Sequence, residues 1–391
     1  MNHKDRKHLF TLSILSLSLL TVMAGAAIAP ALNVIAEYFS NVPKLLVQLI
    51  ISIPALFIVL TNLVFPKLCT VFKTRTLVMI GLLLYTIGGC MAGAFSNIYM
   101  VLFARALVGI GVGIIMPMST GLLTYYYTRD KHDKLLGLSS AMNQMGGVIA
   151  TLLSGMLSTI SWRSSFLVYL MGLISIILCA IFMPNERMIS NEPVINNERV
   201  SIFAQIKKYY KFIVAMFLLM FVFFIYPCNF AIITASDCVI GAKYIPIIMA
   251  SMDLIAFIGG LCYVKIKTQM PHSVRFISPM MFLIGYCSLM ASPGWVTVII
   301  GSALIGFANG LGIPFIISSA SAVAGKNAMI TVMPLLSAAL YLSQFMTPII
   351  LSFLTFALTD GTSVHMPYVI AVCSAIIFVC WVIPIQVHEK L

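Results

Sequence analysis

The chain reads as an all-α membrane protein with twelve transmembrane helices in two pseudo-symmetric six-helix bundles. Three observations carry this reading. Hydrophobic residues make up 61% of the 391 and charged residues 9%, with a mean hydropathy of +1.06; a soluble domain carries about 25% charged residues. Apolar runs recur along the whole length, each close to the roughly 20 residues that cross a bilayer core. The chain also repeats itself. At a shift of 197 residues, Leu107, Gly109, Gly113 and Pro117 fall on Leu304, Gly306, Gly310 and Pro314, and Pro30 falls on Pro227. At a shift of 200, Gln144 falls on Gln344.

The elements follow in order. Lys4, Arg6 and Lys7 precede an apolar run from Leu9 to Phe39. The apolar region of a signal peptide is only about 7–15 residues, and Pro30 to Phe39 is not a small-residue cleavage site, so an uncleaved first helix is expected here. Further spans are expected at 44–66, 76–95, 98–125, 135–158 and 164–184. After a polar stretch come 211–235, 243–265, 274–292, 295–320, 327–357 and 366–387. The division is therefore an N-terminal bundle, 1–184, a cytoplasmic linker, 185–210, and a C-terminal bundle, 211–391. Within the linker, Ser201 to Lys211 reads either as a short amphipathic helix on the membrane surface or as an unstructured tether.

Charge sets the orientation. Of the 23 Lys and Arg, twelve spans place 19 on the side of both termini; Lys44, Arg163 and Lys243 face the other side, and Arg105 lies inside a span. Cytoplasmic loops carry the Lys and Arg excess, so both termini are expected in the cytoplasm of a multi-pass cell-membrane protein. The net charge of +12 is thus a topology signal and an attraction to anionic lipid heads, not a nucleic-acid footprint. Cysteines introduced at Lys326 and Asp360 are expected to label from opposite sides; labelling from one side would overturn the count of twelve.

Composition also excludes chemistry. The nine cysteines lie mostly within apolar runs without CxxC or metal spacing, and the six histidines do not cluster. No metal, cofactor or enzymatic site is expected, and no GxxxxGK[ST] phosphate loop occurs. No loop is long enough for a soluble signalling domain.

The repeat centres on Ala104 to Pro117, where Arg105 is followed by Gly109, Gly111 and Gly113 and closed by Pro117. In the second copy, Ser302 stands at the arginine position. Paired six-helix halves with matching glycine and proline interruptions mark a secondary transporter. Glycines allow close helix approach, and prolines bend helices around a cavity.

Over essentially its full length the chain resembles the major facilitator superfamily. The resemblance rests on Arg105, Gly109, Gly111 and Gly113, on the Ser161-Trp162-Arg163 turn, and on Pro30 to Phe39. It implies a central cavity lined by helices 1, 4, 7 and 10. The pattern is nearest the drug:proton antiporter type, with departures. The loop after the second span, PKLCTVFKTR, has Pro66 for the first glycine, Thr70 for the aspartate and Lys73 for the second glycine; only the basic end, Lys73 and Arg75, is kept. Thr151-Leu152 stands where antiporters carry Gly-Pro.

Two ionisable residues lie within spans. A charge at the bilayer centre costs about 2.5–3.5 kcal/mol on insertion scales, so each needs a reason to be there. Arg105 is either a structural arginine bonded to helix-end carbonyls or an electrostatic element of the transport path. Asp253 is either a structural aspartate bonded to a neighbouring Ser or Asn, or the group that carries a proton or pairs with a cation. Glu37 and Asp237 are expected at outer helix ends. Asn33, Gln48, Asn143, Gln144, Tyr226, Asn229, Asn309 and Gln344 complete the candidate substrate cavity, with methionines and phenylalanines as an adaptable wall. The glycines and prolines at 109, 111, 113, 117, 306, 310 and 314 are assigned to packing and gating, and Lys73 and Arg75 to the cytoplasmic loop. The expected function is proton-coupled export of hydrophobic or cationic small molecules by a monomer in the lipid bilayer. Uptake or exchange of a small polar metabolite is the alternative.

Overall fold

The computed structural model describes residues 3–127, 129–186, 202–238, 240–291, 294–324, 332–359 and 363–385, and these contain no strand. The helices are α1 (His3–Ala26), α2 (Leu32–Tyr38), α3 (Lys44–Val71), α4 (Thr74–Ala94), α5 (Ile98–Tyr126), α6 (Arg129–Ser158), α7 (Gly172–Phe182), α8 (Ile202–Ser236), α9 (Ile245–Gln269), α10 (Val274–Met290), α11 (Trp295–Ala324), α12 (Met333–Thr359) and α13 (Met366–Val382). Nine segments of the described residues are long and apolar enough to cross a membrane; α10 and α13 are shorter apolar helices. With α6, which opens on a charged stretch, they make up the twelve expected spans.

Three elements differ from the sequence reading. The first span is not one helix: α1 stops at Ala26, a 3-10 turn covers Ala29–Ala31, and α2 resumes at Leu32. Pro30 has no N–H to continue the ladder. The sixth span opens as a 3-10 helix, Ser164–Met171, before α7. The segment ahead of the seventh span is neither a separate surface helix nor a tether from Ile202 onward. It is the first turns of the 35-residue α8, because no Gly or Pro interrupts the sequence before Pro227. Most of the expected linker, 187–201, and both labelling positions, Lys326 and Asp360, lie outside the described residues.

The chain forms two compact units. One comprises Met1–Asn191 with Ile245–Ala250, the other Glu192–Tyr244 with Ser251–Leu391. In the first, α5 packs between α3 and α4, while α1 packs on α6, α5 and α7. One corner is closed by Arg163. Its guanidinium donates to the carbonyls of Gly93 and Phe95 and to Ser96 Oγ at 2.9 Å, and it stacks 4.6 Å from the Trp162 ring centroid. This satisfies the carbonyls left open where α4 ends. At the opposite end of α4, Arg75 donates to the Ala180 carbonyl near the end of α7, and the Thr74 N–H donates to Glu186 O. Lys73 is exposed at the N-cap of α4.

In the second unit α10 packs on α11 and α13, and α8 packs on α12, α13 and α11. Arg275, 200 residues after Arg75, repeats its role. It donates to the carbonyls of Ile383 (2.9 Å) and Ile385 (3.1 Å), just past the end of α13. A cation at the C-terminal end of a helix meets both open carbonyls and the negative end of the helix dipole.

Candidate functional site

Arg105 is 0% exposed, and two of its three bonds go to carbonyls left open where a neighbouring helix is interrupted. Pro54 sits inside α3. It lacks an N–H, so the carbonyl four residues back, Ile50, has no helical donor. Arg105 Nε donates to that carbonyl at 2.7 Å. The end of α1 at Ala26 leaves its last carbonyls open, and Arg105 donates through Nη2 to one of them, Ala24 O. Through Nη1 it donates to the hydroxyl of Tyr169, which in turn donates to Ala24 O at 2.9 Å. The guanidinium lies 5.4 Å from the centroid of the Tyr169 ring. One planar fork of donors thus ties α1, α3 and the 3-10 segment to α5. Lysine, with a single ammonium, could not reach all three partners.

The glycines set the distance. Gly109 is one turn beyond Arg105 on the same face. A Cβ there would overlap the Pro54 carbonyl and come within 2.8 Å of Pro54 Cα. The bare glycine therefore lets α5 close onto α3 where Ile50 O is unfilled. Gly113 continues this face, its Cβ position 2.6 Å from Thr61 Cβ. Gly111 points the other way, toward the Gly81 carbonyl on α4 at 2.6 Å. Pro117 lies half-buried within α5.

The second copy keeps the packing and drops the charge. Cβ positions at Gly306 and Gly310 would overlap the carbonyls of Met252 and Ala256 on α9, one turn apart. At the arginine position, Ser302 accepts from the Tyr226 hydroxyl at 2.7 Å, both residues being buried. Asp253, half-buried on α9, lies between the two residues gripped by α11. It is near enough to interact electrostatically with Tyr226. So Tyr226 and Ser302 are joined in one unit, with Asp253 of the same unit within electrostatic range of Tyr226. Pro314 is half-buried within α11.

The remaining candidates are spread over both units. Asn143, on α6, accepts from Thr21 Oγ1 on α1, and its neighbour Gln144 is half-buried. Asn33 donates to Glu37 at 2.8 Å near the exposed end of α2. Gln48 is buried on α3. Asn229 is buried and turns to its own helix, donating to Ile225 O at 3.0 Å. Asn309 and Gln344 are buried, and the Asn309 Oδ1 finds no hydrogen-bond partner among the described residues. Asp237 pairs with His365 at 3.0 Å. No group of metal-binding side chains occurs among the described residues.

Sequence reasoning did not single out Tyr169 or Arg275 as site or clasp residues. A signal for Tyr169 existed in the Gly88-Gly89 pair, since a Cβ at Gly89 would overlap its ring. For Arg275 the signal was its 200-residue offset from Arg75.

A family model described as the Major Facilitator Superfamily matches residues 14–267. The chain belongs to the Major Facilitator Superfamily. The match takes in both Arg105 and Asp253 and stops short of Asn309 and Gln344. Solved Major Facilitator Superfamily structures share the fold. The nucleoside transporter NupG aligns with a TM-score of 0.80 at 11% identity, over 96% of this chain and 99% of that one. A bacterial homologue of the human lysosomal transporter Spinster, in an inward-facing unoccupied conformation, aligns with a TM-score of 0.75 at 15% identity, over 98% and 96%. Among curated relatives, the multidrug efflux pump SdrM of Staphylococcus aureus is 27% identical over 135 residues, 34% of this chain and 30% of the pump. The riboflavin transporter RibZ of Clostridioides difficile is 23% identical over 140 residues, 35% of this chain and 31% of the transporter. The matched segments thus span less than a third of these relatives' own lengths. The family and its structural neighbours are transporters, not enzymes, and the chain is a multi-pass membrane protein.

Proposed function

We propose that this protein is a secondary active transporter that exports hydrophobic or cationic small molecules in exchange for protons. It works as a monomer in the cell membrane with both termini cytoplasmic. The observation that carries the reading is Asp253, a half-buried acid on an apolar helix, gripped on either side by glycine contacts and within electrostatic range of Tyr226. A carboxylate held away from bulk water can bind a proton on one side of the membrane and release it on the other. A cationic substrate can compete for the same oxygens. The similarity to SdrM supports export. In this reading Arg105 touches no substrate; it holds the break in the first span against the kinked α3, so that the bundle moves as one piece.

Asp253→Asn preserves shape and hydrogen bonding but cannot titrate. In proteoliposomes it is expected to abolish substrate accumulation driven by a proton gradient, by at least about 100-fold if every cycle needs this proton. Counterflow exchange of the same substrate should persist. Unchanged proton-driven accumulation in this variant would remove Asp253 from the mechanism. The alternative, uptake or exchange of a small polar metabolite, is favoured by the buried amides Asn229, Asn309 and Gln344 and by the similarity to RibZ. Substrate-stimulated proton flux of reversed sign would select it.

A further inference from the structure

The first turns of α8 carry Lys207, Lys208 and Lys211, with Tyr210 among them. At 35 residues and 1.5 Å per residue, α8 is about 52 Å long, against a hydrocarbon core of about 30 Å. Its two ends therefore stand in the headgroup layers. The lysine end meets the end of α13. Trp381 Nε1 donates to the Lys211 carbonyl at 3.0 Å, and the Tyr210 and Trp381 rings lie 6.3 Å apart. Arg275, at the start of α10, bonds the carbonyls just beyond that end of α13. Four cations thus lie at this end of α8, α10 and α13, the Lys208 ammonium 5.2 Å from the Tyr209 ring centroid. Lys207 and Lys208 are exposed, and Lys211 and Arg275 half-buried. No Asp or Glu lies on α8, α10 or α13, and among the described residues none of the four cations forms an ion pair. Exposed apolar side chains, Ile206 (40%) and Ile383 (55%), sit beside these charges.

We propose that this end of α8, α10 and α13 is a dock for an anionic phospholipid. The phosphate head sits on Lys207, Lys208 and Lys211, and the acyl chains run past Ile206 and Ile383. The partner is an amphiphile because charge and exposed apolar surface lie side by side: a soluble anion would leave the apolar part uncovered, and a zwitterionic lipid would leave the charge uncompensated. Tyr210 and Trp381, fixed by the bond to Lys211 O, are amphipathic rings of the kind that settle at the headgroup level. Arg275 is committed to the carbonyls and contributes field more than contact.

The test is lipid retention by the purified full-length protein, read by native mass spectrometry after exchange into mixtures of phosphatidylglycerol and phosphatidylcholine. A preference for phosphatidylglycerol of roughly fivefold per engaged lysine is expected. It should fall steeply at 0.5 M salt, where screening acts within a few Å. The triple variant Lys207→Gln, Lys208→Gln, Lys211→Gln should lose the preference while keeping its helical circular dichroism. Lys243→Gln, next to the other end of α8, should keep it. Equal retention of the two lipids, or full preference in the triple variant, would overturn the proposal. Displacement of the lipid by inorganic phosphate at equal concentration would also overturn it, since the head alone would then be the ligand.

Discussion

Replacing Arg105 with alanine is expected to abolish transport and to loosen the N-terminal bundle together. The substitution leaves Ile50 O and the Tyr169 hydroxyl without their donor and strips Ala24 O of one of its two, in a place where water does not compete to satisfy them. Three lost bonds at roughly 0.6–2 kcal/mol each total about 2–6 kcal/mol. At a few degrees per kcal/mol, the melting midpoint should fall by about 5–15 °C. Arg105→Lys should recover part of this, because an ammonium keeps the charge but not the fork. Tyr169→Phe, which loses one hydroxyl and keeps the ring, should cost the least. A second substitution tests the physical reason. Pro54→Ala restores an N–H able to donate to Ile50 O along the helix. Placed in the Arg105→Ala protein, it should raise the melting midpoint again without restoring transport. A melt of Arg105→Ala that matches the unmodified protein would show that the three bonds carry no stability.

Gly310→Ala should damage the C-terminal unit more than any other glycine-to-alanine change on α11. The added methyl would overlap the Ala256 carbonyl and come within 2.9 Å of its Cα. Backbone cannot rotate aside as a side chain can, so α9 and α11 must separate. Overpacking of this kind costs about 1–3 kcal/mol or more, against roughly 1 kcal/mol gained from alanine's better helix propensity. Gly306→Ala presses on Met252, the residue before Asp253. It should therefore shift the pH dependence of transport as well as lower stability. Gly260→Ala is the contrast. Its Cβ would lie 3.5 Å from Gly310 O, an ordinary contact, so only the propensity gain remains and the melt should hold or rise. If Gly260→Ala and Gly310→Ala behave alike in thermal melts of the purified protein, the close approach of α9 and α11 is not what the glycine at 310 is for.

Much of this protein is legible in one dimension. Spans follow from apolar length, because the bilayer core has a fixed thickness. The repeat follows from small residues at fixed spacing, because helices in lipid pack closely only where side chains are absent. Arg105 and Asp253 stand out because a charge in an apolar run demands a reason. For Arg105, tertiary structure alone supplied the bonding partners. The partners of Arg105 are 55, 64 and 81 residues away, and two of the three are main-chain oxygens, which every residue carries and no side-chain pattern reveals. Pro30 and Pro54 announce bent helices, but only packing brings the carbonyls of two interrupted helices to one guanidinium. The same holds for Arg75 and Arg275. In sequence they count as basic residues at the starts of spans; in the fold each closes the end of a distant helix, because an open helix end must find donors wherever the chain brings them.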